Sequence, residues 1–151
     1  MEQEIKIRFS IDGIEEKSFE LSSSIPHQID AGSLQVRYLI ETEILRTQEK
    51  ARVMAGVKYS TAEDSLCELI ISMVFMVEPF ADIIKIDEAK NTVSFTKEIV
   101  PTLLNITFGT LRGVLFEKTK GTALAGFPLP PVSMPKLVEM NRFRVVMDRE
   151  Q

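Results

Sequence analysis

The stretch that most constrains this chain runs from Pro101 to Leu137 and reads PTLLNITFGTLRGVLFEKTKGTALAGFPLPPVSMPKL. It spells one amphipathic helix, a glycine stop, a proline-rich loop and a short second helix. Proline suits the first helical position, and the residue before a proline is pushed toward extended geometry. The pair Val100-Pro101 therefore predicts a helix that starts at Pro101 and not earlier. Gly121 is the predicted stop, with Lys118 and Lys120 favourable near the end. The helix between them is roughly 20 residues, or about 30 Å, which is long for a chain of this size. Leu103, Leu104, Thr107, Leu111, Val114 and Leu115 recur at helical spacing and form one broad apolar stripe. Ile106, Phe108, Gly109 and Gly113 fall largely outside it. A helix apolar on more than one side has neighbours on more than one side. Each glycine costs about 1 kcal/mol against alanine inside a helix, and a spacing of four puts both on one face. Two readings stay open: a close contact within one subunit, or a helix held between subunits.

Covering such a helix takes a core, and 151 residues with 44% hydrophobic and 26% charged content can supply one. The expectation is a single domain over residues 1–151, with a core of about 5–140 and a tail over 141–151. A net charge of −4 argues against a nucleic-acid ligand. No run of 18 or more apolar residues predicts a membrane span, and MEQEIKIRF lacks the order of a secretory signal. The lone cysteine, Cys67, suits a reducing, cytoplasmic setting.

Before the helix the pattern changes to period two. Glu4 to Leu21 alternates twice, around an Asp12-Gly13 pair that marks either a hairpin turn or a bulge in one long strand. Ser22 to Leu34 is a connecting loop of about a dozen residues, long enough to carry function. Gln35 to Leu45 places Val36, Tyr38, Ile40 and Ile44 on one face. Ala51 to Tyr59 does the same with Val53, Ala55, Val57 and Tyr59. Leu66 to Val77 is apolar on both faces over most of its length, and Pro79 ends it. Alternation with short links means antiparallel pairing. The expected fold is thus α+β: a four-stranded antiparallel sheet with one long helix and a short C-terminal helix packed on one face. Asp82 to Thr92 is a charged connector with no assigned element. Thr122 to Pro131 is non-helical, Ser133 caps a last helix running through Met140, and Arg142 to Gln151 is a tail expected to fray.

Signatures of catalysis are missing from the sequence. His27 is the only histidine, and there is no phosphate-binding glycine loop, cysteine pair or His-x-x-x-His spacing. The reading is a binding protein, not an enzyme, with no cofactor and no metal. Seven Met and nine Phe residues, the long loop and the Leu-Pro-Pro segment offer apolar surface that can repack around different partners.

Taken together, Arg112 in the long helix, the Thr119-x-Gly121 stop, Gly126, the run Leu129-Pro130-Pro131-Val132 and the closing short helix resemble the SecB family of export chaperones. The SFEL of Ser18 to Leu21 and the LCEL of Leu66 to Leu69 resemble that family's first and fourth strands. The resemblance implies a cytoplasmic, ATP-independent chaperone that holds unfolded preproteins and hands them to the SecA motor. It also implies a homotetramer, a dimer of dimers with long helices between two eight-stranded sheets. Residue by residue, it implies a client groove at Ile25, Val36, Tyr38, Ile40, Phe127, Leu129, Val132 and Leu137. A motor-binding surface falls on Glu16, Glu20, Leu66 and Glu68, and an oligomer interface on Cys67, Leu69, Ile71, Gly109 and Gly113. The family's motor-engaging tail has no counterpart in Arg142 to Gln151. The alternatives are a SecB-like chaperone that protects an antitoxin, or a non-chaperone binding module on the same scaffold.

Overall fold

The period-two pattern of the first half folds into four antiparallel strands: β1 (Arg8–Leu21), β2 (Gln35–Leu45), β3 (Lys50–Ser60) and β4 (Ser65–Glu78). A computed structural model describes residues 7–87, 89–90, 92–95 and 99–146. Ile5, in the first alternating segment, and the tail beyond Val146 lie outside the described residues. The Asp12-Gly13 pair proves to be a bulge: β1 is one strand along β4, with register shifts between Ile11 and Gly13 and again between Glu16 and Ser18. Each shift inserts an extra residue and changes which side chains share a face.

Among the described residues the sheet has five strands, in the order β1-β4-β3-β2 followed by β7 (Arg142–Val146), and not four. β7 belongs to the segment expected to fray, and it lies parallel to β2, from Glu41↔Arg142 to Leu45↔Val146. Its register sets Arg142 and Arg144 beside Glu41 and Glu43. Opposite charges beside one another across strands are favourable, in a segment too short to announce itself by periodicity. The unassigned connector overlaps a single helical turn, α1 (Phe80–Ile83), and carries β5 (Ile84–Asp87), which pairs antiparallel with β6 (Thr92–Phe95) at its far end.

The long helix, α2 (Ile99–Thr119), is already helical two residues before Pro101. Amides in a first turn have no intrahelical acceptor, so proline is accepted there beyond the first position. Ile99 and Val100 are both buried, and covering a large aliphatic side chain gains roughly 1.5–3 kcal/mol, enough to override a pre-proline preference. The far end is as expected, with Gly121 in the left-handed region at φ 83°. Phe108, placed outside the stripe by spacing, is buried with it. By length and composition alone α2 could cross a membrane, a test that core helices also pass; here Leu103, Leu104, Leu111 and Leu115 are buried in the protein's own core.

After the stop, Thr122 caps a 3-10 turn over Ala123–Gly126 inside the expected non-helical loop. Ser133 caps α3 (Met134–Met140) by accepting a hydrogen bond from the Lys136 amide at 3.3 Å. α2 lies over β3 and β4 and against α3. One core joins Ile40, Val53, Val57, Leu69, Met73 and Phe75 of the sheet to Leu104, Leu111 and Leu115 of α2, and to Leu124, Leu129 and Leu137 beyond it.

Candidate functional site

Alternation in β2 and β3 sends Val36, Tyr38, Val57 and Tyr59 to the helix-bearing face, where Val36 pairs with Tyr59 and Tyr38 with Val57. Beyond the end of α2 this face meets two loops. In one, Asp30 accepts from the Gly32 amide at 3.1 Å and fixes a 3-10 turn over Ala31–Ser33. In the other, Thr122 accepts from the Leu124 amide at 3.2 Å and donates to the Thr119 carbonyl at 2.8 Å. The loops and strands enclose a cleft of about 390 Å³ lined by Ala31, Leu34, Val36, Tyr38, Tyr59, Gly126, Phe127, Pro128 and Pro130.

The proline-rich wall of the cleft is pinned at two points. Tyr59 Oη donates to the Phe127 carbonyl at 2.5 Å. Arg112 reaches from α2, its Nε donating to the Leu129 carbonyl at 2.8 Å and its Nη2 to the Pro130 carbonyl at 3.2 Å. Prolines leave a loop short of amide donors, so side chains must satisfy its carbonyls. The guanidinium also lies 5.4 Å from the Phe108 ring centre, and Phe108 meets Tyr38 edge-on at 5.6 Å. Helix, strand and loop are thus joined through aromatic and cationic side chains. Burial raises the Tyr38 phenol above its usual range, partly opposed by Arg112. Tyr59 is raised further, by burial first and then by Tyr38 and Cys67. Both are neutral hydroxyls at physiological pH. The cleft therefore offers aromatic and aliphatic walls and uncharged polar tips: a place to hold apolar side chains.

Next to the cleft lies an unpaired backbone. β7 covers only the Glu41–Leu45 half of β2. From Gln35 to Ile40 no described strand flanks β2 on the side away from β3. An open edge presents a row of amides and carbonyls that can template another strand.

Of the eight groove positions, Val36, Tyr38 and Phe127 line the cleft. Ile25 and Val132 are partly buried and pack against the core, outside the lining. Ile40, Leu129 and Leu137 are core residues beneath it, at 3%, 2% and 0% exposure, and present no contact surface. α3 and the proline loop cover the part of the face that they occupy. Ala31, Leu34, Tyr59, Gly126, Pro128 and Pro130 were not among the named groove positions. The alternation had put Tyr59 on the right face, but nothing in sequence shows that its hydroxyl reaches a loop 68 residues on.

The acidic surface does not assemble as the sequence reading placed it. Glu20 and Glu68 are cross-strand partners, on the face away from α2. Glu16 pairs with Ile71, on the helix side, and binds Lys118 of α2 at 2.7 Å. The bulge between Glu16 and Ser18 is what separates it from Glu20. Leu66 sits at a second irregularity, where Tyr59 pairs with Cys67 but Ser60 with Ser65, and it is buried in the core.

The proposed interface residues divide likewise. Cys67, Leu69 and Ile71 are sealed in the protomer's own core, which α2 covers, so they leave no surface for another subunit. Burial raises the Cys67 thiol to about 11. Gly109 and Gly113 do lie toward the outside. A side chain at Gly113 would meet nothing within 4 Å, and one at Gly109 only Arg112 Nη1 at 3.8 Å. The close contact within one subunit that their spacing allowed is therefore not made. Compared with protein-family models and with curated proteins, the sequence gives no match, so the reading of this site rests on its geometry and on the residues themselves.

Proposed function

We propose that this chain is a SecB-like, ATP-independent holdase that binds extended apolar segments of unfolded polypeptides. The observation that carries the reading is the meeting of a pinned apolar cleft with the open half of the β2 edge. A strand added along Gln35–Ile40 would gain main-chain hydrogen bonds at the edge while alternate side chains enter the cleft. That is recognition with little sequence preference. Several such sites on one assembly would hold a single client by effective concentration.

Assembly with further copies has its own support. No described strand flanks β1 on the side away from β4, and Phe9, Ile11 and Ile14 are exposed on the side that carries α2, with Ile14 57% exposed. The glycine face of α2 is open as well. Homo-oligomerisation through β1 and α2 would cover both.

Transfer of clients to a SecA-like motor is a separate proposal with a narrower base, the Glu20–Glu68 pair alone. Protection of an antitoxin needs only the cleft. The deciding experiment is suppression of client aggregation by a Val36→Glu, Phe127→Ser variant, beside a control, Val138→Ser, at an exposed site on α3. Loss of suppression in the first with retention in the second is expected. Equal suppression by both overturns the site.

A further inference from the structure

The residues between Asn141 and Val146 have no part in the cleft, yet they lie on the same strand edge. Among the described residues β7 is the only parallel strand in an otherwise antiparallel sheet, and none of its five residues is fully buried, Val145 alone packing in part against the core. Elements with few buried apolar contacts open at low free-energy cost. What holds β7 is its main-chain pairing with β2, which sets Arg142 and Arg144 beside Glu41 and Glu43, the contact of Phe143 with Phe95 at 4.9 Å, and Val145 packed in part against the core. Glu43 is itself paired with Arg52 at 2.9 Å. Its joint with α3 is incompletely satisfied. Asn141 Oδ1 accepts from Thr42 Oγ1 at 2.8 Å, while its Nδ2 is buried without a partner among the described residues. That unspent donor stands beside the boundary between the covered and open halves of β2.

We propose that β7 is a displaceable strap, a built-in occupant of the β2 edge that competes with extended clients and limits how much of that edge they use. This rests on the cleft being a client site. With β7 in place the open edge is the six residues Gln35–Ile40, or roughly 20 Å of strand. With β7 released the edge is all eleven residues of β2, and the client's backbone inherits the positions that the strap leaves.

The test uses the full chain and one probe, fluorescein-labelled, reduced and carboxymethylated lactalbumin, which stays unfolded. Arg142→Glu with Arg144→Glu sets like charges beside Glu41 and Glu43 and should tighten probe binding at least threefold. Glu41→Cys with Arg142→Cys ties the strap to β2 when oxidised. Binding should then weaken at least threefold and recover on reduction, so each state controls for folding of the other. In the unaltered chain, saturating probe should raise amide exchange over 142–146 while 41–45 stay protected. Probe binding that is unchanged by charge reversal, oxidation and reduction overturns the strap and leaves the cleft reading standing. Failure of the unaltered chain and the charge-reversed variant alike to bind overturns both. Binding by the charge-reversed variant alone supports the strap.

Discussion

Two side chains, Arg112 and Tyr59, fasten the proline-rich wall of the cleft. Arg112 meets two carbonyls of a loop that has few donors of its own, and its planar fork is suited to doing so. Hydrogen bonds from a charged group are worth about 1.5–3 kcal/mol, so Arg112→Ala should lower unfolding stability by roughly that amount. Arg112→Lys should recover little of it, with urea unfolding as the readout. Tyr59→Phe removes one neutral bond and should cost about 0.5–1.5 kcal/mol on the same scale. Cys67 gives a pH dependence. Its thiol is raised by burial from 9.0 to about 11, so the folded state holds this proton more tightly than the unfolded chain. The associated stability is whole below pH 9 and is lost as pH rises toward and through 11, on the order of 2 kcal/mol. Between pH 8 and pH 10 the urea midpoint should fall in the natural chain and fall less in Cys67→Ala, where Tyr38 and Tyr59, also raised by burial, still lose some stability near pH 10. An equally steep fall in the variant would reject this account.

The elements show what could be read in advance and what could not. Period two revealed β2, β3 and β4, because each buries one face and alternation records burial directly. The stop at Gly121 and the cap at Ser133 were legible because left-handed backbone and N-caps admit few residue types. β7 was not, since its five residues are specified by a partner strand about 100 positions away. The start of α2 was misplaced because a local preference at Val100 yields to burial in a core that no local rule describes. Faces went wrong wherever a bulge intervened: Glu16 and Leu66 both lie beside register irregularities, and one extra residue reverses every later assignment. The cleft was legible as a neighbourhood, from Val36, Tyr38 and Phe127, but not in its depth. At this scale Gly113→Ala is informative. The added methyl meets nothing within 4 Å, so the protomer should gain up to about 1 kcal/mol in thermal or urea unfolding. If that face packs closely against another copy, the same methyl should weaken assembly in sedimentation.

For the whole molecule the question is what lies against the surfaces that one chain leaves uncovered. Phe9, Ile11 and Ile14 form an apolar strip on an open edge strand, the kind of surface that natural proteins cover or protect with charge. Sedimentation at micromolar concentration should show more than a monomer. Ile14→Lys should shift the distribution to smaller species with little loss of protomer stability, since the side chain is exposed. A monomer in both cases would remove the oligomeric part of the reading while leaving the cleft untouched. The position of Arg112 has one further implication. A methyl on Gly109 would lie 3.8 Å from the guanidinium that fastens Leu129 and Pro130. A second copy packed on that face would touch the guanidinium that fastens the proline-rich wall of the cleft. If copies associate through that face and the cleft holds apolar segments, dilution alone should change probe affinity, and saturating probe should shift the sedimentation distribution.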